Sequence, residues 1–268
     1  MIKLFITDMD GTLLHDDKSL PNETFKTIDA CHQQNKQFCV ASGRSYFDLI
    51  QQFASVKDEI TLICNNGADI YNNDHLIYSS LLPKTDILKI KTLLNDIQDC
   101  IPIYVARNHA YIEKSKVYNQ ETMNTVILYY HGFQLIDDIA AIDDEFVKIT
   151  ICHNQSTEKF VYPHLLSLIF KYKVVISGQK WLDISNLDVN KGKAVENVRK
   201  MLGIKNSETV IYGDFLNDYE MFKVSQNAYA VSNAHPEIKA IASKIIASNQ
   251  EDAVIKSIQN FLETEQVN

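Results

Sequence analysis

Near the start of the chain two carboxylates stand two residues apart, Asp8 and Asp10 in Asp8-Met9-Asp10-Gly11-Thr12. A pair this close repels itself unless a cation or a shared proton relieves it. Alone, Asp-x-Asp reads as a turn with two solvated acids. Three later clusters change its weight: Ser42-Gly43-Arg44, Asn190-Lys191-Gly192-Lys193 and Gly213-Asp214-Phe215-Leu216-Asn217-Asp218. If Asp8, Asp10 and Asp214 meet, they need a cation. Oxygen donors with no His or Cys beside them point to Mg²⁺, which keeps several waters and usually contacts a phosphate as well. A hydroxyl, a lysine and backbone amides alongside suit a dianionic phosphoryl group. One carboxylate can then be a nucleophile that forms an aspartyl-phosphate. A second, two residues on, can protonate the leaving oxygen and later deprotonate water. Phosphate-monoester hydrolysis demands accelerations of up to ~10²¹, and a metal, a nucleophile and an acid/base answer that demand.

These clusters must be brought together by the fold. Leu4-Phe5-Ile6, Phe38-Cys39-Val40-Ala41, Thr61-Leu62-Ile63-Cys64, Thr209-Val210-Ile211-Tyr212 and Asn227–Val231 are short apolar runs. Such runs suit strands buried on both faces of a parallel sheet. Each ends in a polar or glycine-rich cluster. In a doubly wound sheet those ends share one edge, where ligands bind. Wet loops explain polarity after a strand, but not carboxylates, a hydroxyl and a lysine in complementary roles. Helices are expected from Ser19-Leu20-Pro21 to about Asn35 (Phe25, Ile28 and Cys31 inward), through Phe47, Ile50 and Phe53, and from Asn190 to Leu202, closed by Gly203. A hairpin is expected across Asn72-Asn73-Asp74. Lys244–Ala247 reads as a last strand and Asp252–Leu262 as a closing helix.

Between about Pro83 and Ser185 the character changes. The pattern predicts a helix to about Ile97 and a hairpin of Ile101–Val105 and Ala110–Glu113 turned at Arg107-Asn108. A helical segment over Val117–Tyr130 follows, then a strand Phe146–Cys152. A helix Glu158–Phe170 leads to strands Lys173–Ile176 and Lys180–Ile184. No reactive cluster follows these strands. The expected organisation is therefore an α/β, Rossmann-like doubly wound core (1–82 and 186–268) carrying an inserted α+β cap (83–185).

At 268 residues the chain is long enough for a large core. Apolar residues at 46% and charged at 22% describe an ordinary globular protein. A net charge of −8 without a Lys/Arg block argues against nucleic acid and anionic membrane surfaces as partners. The five cysteines are scattered, odd in number and without Cys-x-x-Cys, which suits small buried residues in a reducing compartment. No His-Glu-x-x-His suggests zinc. No apolar run reaches the ~20 residues of a membrane span. A first strand expected almost at Met1 leaves no room for a removable signal, so a cytoplasmic location is expected.

Asp8-Met9-Asp10-Gly11-Thr12, Ser42-Gly43-Arg44, Lys191-Gly192 and Gly213-Asp214-x-x-Asn217-Asp218, in this order, resemble the four motifs of the haloacid dehalogenase superfamily. The spacing is similar to its Cof-type phosphatases, whose large class II (type B) cap lies between the second and third motifs. Asn66-Gly67-Ala68 and Val231-Ser232-Asn233-Ala234 also resemble Cof-type segments. Val231-Ser232 stands where the family often has Met-Gly, and Ala253-Val254 where it often has Gly-Val. The resemblance implies a Mg²⁺-dependent phosphatase of small phosphorylated metabolites, sugar phosphates foremost, with pyridoxal phosphate or flavin-pathway phosphates behind. It implies Asp8 as nucleophile and metal ligand. Asp10 is implied as acid/base and, through its backbone carbonyl, as metal ligand, with Asp214 the third ligand. Met9 (backbone amide), Ser42, Gly43, Lys191 and Asn217 are implied to hold the phosphoryl group, with Thr12, Arg44, Asn66 and Asp218 supporting them. Lys193 is expected in solvent. In the cap, Arg107, His109, Lys148 and Trp181 are candidate substrate contacts. The expected state is a monomer or homodimer. A phosphomutase, or a non-catalytic phosphometabolite sensor, uses the same pocket and remains an alternative.

Overall fold

The computed structural model describes residues 1–264 apart from Asn108, Tyr130 and His131. Asn108 of the expected hairpin turn and Tyr130 of the expected helix therefore lie outside the described residues. The chain divides into two units, Met1–Tyr78 with Asn190–Asn268, and Ser79–Val189.

The first segment runs β1 (Leu4–Thr7), α1 (Thr24–Gln33), β2 (Gln37–Ala41), α2 (Tyr46–Phe53), β3 (Ile60–Cys64), β4 (Asp69–Asn72) and β5 (His75–Ser79). The middle segment holds α3 (Lys84–Leu94), β6 (Cys100–Ala106), β7 (Ala110–Glu113), α4 (Gln120–Tyr129), β8 (Gln134–Ile136), β9 (Phe146–His153), α5 (Thr157–Phe160), β10 (Tyr172–Gly178) and β11 (Trp181–Asn186). The last returns with α6 (Lys191–Leu202), β12 (Thr209–Gly213), α7 (Tyr219–Lys223), β13 (Asn227–Ala230), α8 (Pro236–Ile241), β14 (Lys244–Ile245) and α9 (Ala253–Thr264).

The large sheet has the order β14-β13-β12-β1-β2-β3-β4-β5. It is parallel from β14 to β3, and β3 meets β4 antiparallel. Every residue of β1, β3 and β12 is buried, as strands covered on both faces require. Thr7 lies level with Tyr212 on one side and Val40 on the other. The chain therefore leaves β1, β2 and β12 along one edge of the sheet, with Asp8, Ser42 and Asp214 just beyond.

The second unit is a six-stranded sheet, β10-β11-β9-β6-β7-β8, antiparallel except where β8 joins β7. Ile87, Ile90 and Leu94 of α3 pack with Tyr104, Ile149, Ile151, Leu182 and Ile184 in its own apolar core. The architecture is the expected α/β class with a separate α+β unit. Local departures have physical causes. The helix expected over Glu158–Phe170 is only α5, followed by a 3₁₀ stretch Tyr162–Leu168. Pro163 lacks the N–H that an α-helix needs there. Phe25, expected inward on α1, is 36% exposed, while Ile28 and Cys31 are buried. β8 has no counterpart among the expected strands.

Candidate active site

The turn after β1 explains the spacing of its two acids. Gly11 takes φ +85°, and a Cβ there would stand 2.5 Å from Asp214 Oδ2. Glycine thus gives both the left-handed turn and the close approach of two chain segments. Thr12 Oγ1 donates to Asp214 Oδ1 at 2.8 Å. Asp8 N donates to Tyr212 O at 3.0 Å, tying the turn to β12.

Lys191 is the first residue of α6, whose N-cap Asn190 accepts from Lys193 N at 2.8 Å. Its side chain is fully buried. Lys191 Nζ donates to Asp8 Oδ1 at 2.5 Å and to Asp218 Oδ1 at 2.7 Å. Asp218 Oδ2 accepts from the backbone amides of Asp214 and Phe215 at 2.9 and 3.2 Å. Asp8, Asp214 and Asp218 each bring a carboxylate oxygen within 4.8 Å of the others. Asp8 and Asp218 thus share one ammonium, while Asp214 beside them takes the Thr12 hydroxyl. Burial pushes the Asp8 carboxyl well above its ordinary range, Lys191 works against that shift, and the neighbouring aspartates add to it. Burial and then Asp218 push the Asp214 carboxyl up to about 6. Burial opposes the charge on Lys191, but Asp218 and Asp8 outweigh it and raise its pKa.

Asp10 lies apart from this group. Arg44 grips it with two parallel bonds, Nε to Oδ2 at 2.8 Å and Nη2 to Oδ1 at 2.7 Å. Lys18 Nζ adds a third, to Oδ1 at 3.0 Å. Burial works against the charge, yet Arg44 and then Lys18 hold the carboxyl below its usual range. Charge-assisted bidentate bonds of this kind fix orientation as well as charge.

Ser42 is buried, and its Oγ accepts from Arg44 N at 3.1 Å. Asn65 N and Asn66 N donate to Arg44 O and Ser42 O, so the loop after β3 braces the loop after β2. Asn217 Nδ2 reaches Asn66 Oδ1 at 3.2 Å, and the Asn66 amide lies over Gly43. Met9 is buried, with its carbonyl accepting from Leu14 N. Lys193 is exposed, 4.0 Å from Glu196. The structure therefore brings the four core clusters to one edge. Sequence reasoning did not single out Lys18, or Asn249, which anchors Leu14 O and Asp16 at 2.9 and 3.1 Å. Lys18 acts from a loop and Asn249 from the first residue of a short 3₁₀ turn, and neither carries a pattern that marks it.

The cap candidates lie in the second unit. Arg107 pairs with Glu145 and donates to Ser79 Oγ at 3.3 Å. His109 is half exposed, 3.6 Å from Asp144. Lys148 is buried on β9. Trp181 lies opposite Cys152, four positions along β9 from Lys148 and hence on the same face.

Fold and site together define a hydrolase built on a doubly wound sheet with an inserted α+β unit. The chain belongs to the haloacid dehalogenase-like hydrolase family, whose pattern matches residues 5–258. It is 29% identical over 269 residues to a 5-amino-6-(5-phospho-D-ribitylamino)uracil phosphatase of Escherichia coli, covering 98% of this chain and 97% of that one. A solved structure from Eubacterium rectale superposes with a TM-score of 0.87 at 25% identity, over 97% of this chain and 99% of the other. A HAD subclass IIB sugar phosphatase superposes at 0.78 with 22% identity, over 97% and 98% of the two chains.

Proposed function

We propose that the protein is a Mg²⁺-dependent phosphatase of small phosphorylated metabolites that works through an aspartyl-phosphate on Asp8. One observation carries this reading: Asp8 is bound to a buried lysine, while Asp10, two residues on, is held separately by Arg44 and Lys18. The two acids thus have different surroundings and different tasks. The Asp8 carboxylate attacks phosphorus as the ester P–O bond breaks. The leaving oxygen takes a proton from Asp10 and departs as an alcohol. Asp10 then removes a proton from water as it attacks the same phosphorus, which releases inorganic phosphate and restores the Asp8 carboxylate. Lys191, Ser42, Gly43, Asn217 and the Met9 amide hold the phosphoryl oxygens, braced by Thr12, Asn66 and Asp218.

The donor set fits Mg²⁺: clustered carboxylate oxygens, a single ammonium to offset them, and no His or Cys in the cluster. We assign its binding to Asp8, Asp214 and the Asp10 carbonyl. Bound there, Mg²⁺ supplies positive charge for the phosphoryl oxygens.

Sugar phosphates are the leading substrates, and the Escherichia coli relative favours a phosphorylated ribityl compound as a specific second choice. Arg107, His109, Lys148 and Trp181 of the cap are our candidates for setting that choice. The test is phosphate release from a panel holding both classes, with Mg²⁺ or chelator, for wild type and Asp8→Asn. Mg²⁺-dependent release that vanishes in the variant supports the reading. Release without isotope from labelled water turns it toward a phosphomutase, and tight binding with no release toward a sensor.

A further inference from the structure

α5 is a single turn of helix, and one turn does not hold itself together in water. It has to be fastened from outside, because Val161 and Leu165 just beyond it belong to the apolar core of the second unit. Part of the fastening is insensitive to pH. Ser156 Oγ accepts from Lys159 N at 3.3 Å, and Thr157 N donates to Gln179 O at 3.0 Å. The other part is a side chain that titrates. His153, the last residue of β9, is only 5% exposed. Its Nδ1 accepts from Gln155 N at 3.1 Å and from Ser156 N at 3.2 Å. Its ring stacks on that of Phe160, with centroids 4.9 Å apart and planes 10° from parallel. One imidazole thus grips the N-cap of α5 and its last residue.

A ring nitrogen that accepts N–H bonds carries no proton, so the proton sits on Nε2 and the ring is neutral. Protonation of Nδ1 sets a donor against two donors. Both bonds are lost, and a charge appears in a buried place. The surroundings do little to offset that charge. Asp99, just before β6, favours the charged ring, but burial outweighs it and draws the pKa of His153 below its ordinary 6.5. Asp99 is itself engaged by Asn119 Nδ2 at 2.6 Å. Lys180, whose carbonyl accepts from His153 N, turns its ammonium to Glu121 of α4 at 3.4 Å. Glu158 and Lys159 of α5 are exposed. Cys100, level with His153 on β6, and Cys152 beside it are kept neutral by burial. Among the described residues no carboxylate pairs with the ring. As pH falls below 6.5 the unfolded chain takes up this proton first, so the folded form loses stability from there downward.

We propose that His153 is an acid-sensitive latch of the second unit: neutral, it clamps α5 to the end of β9, and protonated, it lets α5 go. The inference does not rest on the phosphatase reading, and no residue of that site takes part in it.

The experiment follows thermal unfolding of the whole chain from about pH 8 to about pH 5, with the His153 Cε1 proton read by NMR over the same range. The proteins are wild type, His153→Asn and His153→Phe. Asparagine keeps an oxygen that can accept from backbone amides just ahead of it, and it does not titrate. Phenylalanine keeps the stack on Phe160 and loses the acceptor. Wild type is expected to lose about 3 °C more of its melting temperature across this range than either variant does. Each protein is compared with itself, so a constant cost of substitution drops out, and the aspartates of the first unit titrate alike in all three. The His153 resonance is expected to titrate below 6.5. Hydrogen exchange, corrected for its intrinsic pH dependence, is expected to quicken over 154–161 in acid in wild type but not in His153→Asn. Parallel melting profiles overturn the latch. So does a ring that titrates at or above 6.5, or exchange that quickens equally in both proteins. The NMR titration needs wild type alone, so a variant that fails to fold does not shelter the proposal.

Discussion

Asp214 in the first unit and Asp86 in the second are aspartates whose carboxyls move in opposite directions. Burial and then the neighbouring Asp218 push Asp214 up to about 6. Bonds from Lys171 and Tyr172 draw Asp86 down to about 2. At the edge of the large sheet three aspartates crowd together, and only Asp8 and Asp218 of them pair with Lys191. In the second unit Asp86 alone collects Lys171, Lys89 and the Tyr172 hydroxyl, and Glu113 shares Lys91 with Asp138. The second pattern is what stability favours. The first holds excess negative charge in place, a cost that a protein carries where function requires it. If this contrast is right, substitutions at the two places differ in kind as well as in size.

The largest expected effect is that of Asp8→Asn. Phosphate release falls by ~10³-fold or more, as when a nucleophile is removed. The thermal midpoint does not fall, because a carboxylate leaves an overcrowded group while Lys191 keeps Asp218. Release assays and a melting curve on the same preparation check both halves. A marked loss of stability breaks the contrast, because it means Asp8 is paired for structure.

Asp218→Asn is expected to act the other way. Asp218 is fully buried and links Lys191 to two backbone amides. Breaking a buried pair from one side costs about 3–5 kcal/mol, measurable by denaturant unfolding. The third effect belongs to the metal. Mg²⁺ at ~100 times its Kd stabilises a protein by about 2.7 kcal/mol, and chelator removes that gain. In Asp214→Asn the Mg²⁺-dependent rise in melting temperature is expected to shrink sharply. An equal rise in that variant places the ion elsewhere.

How much of this could be read from the chain depends on the kind of signal. Strands covered on both faces are written as unbroken apolar runs, so β1, β2, β3 and β12 were legible to within a residue or so. The clusters that follow them were legible because parallel strands end together. α5 was overextended because the apolar spacing continues past Pro163, whose missing N–H outweighs it. β8 is three residues long, with two of them exposed, so burial leaves no period in its sequence. Within the site, residue types were legible but side-chain directions were not. Nothing in Asp-x-Asp says that one carboxylate turns to Lys191 and the other to Arg44. Lys18 reaches Asp10 only because a loop fastened to Asn249 and Asp252 holds it there, and contacts across more than two hundred residues leave no local trace.

The smallest effect tests the other side of the contrast. Asp86 accepts from Lys171 at 2.6 Å, Lys89 at 3.3 Å and the Tyr172 hydroxyl. The two lysine side chains are 61% and 74% exposed, so water screens most of their attraction. Asp86→Asn is therefore expected to cost only about 1 kcal/mol near neutral pH. The sign of its pH dependence follows from the direction of the shift. The folded carboxyl titrates near 2 and the unfolded one near its ordinary 3.8. The unfolded chain therefore takes up the proton first as pH falls, and the contribution drains away between those values. Urea unfolding of wild type and Asp86→Asn across this window is expected to show a gap that is full above about pH 4 and closed by about pH 2. A gap that persists into acid means that the Tyr172 contact and packing carry the site. Asp86 then owes its place to shape, and the contrast with Asp214 is no longer one of charge.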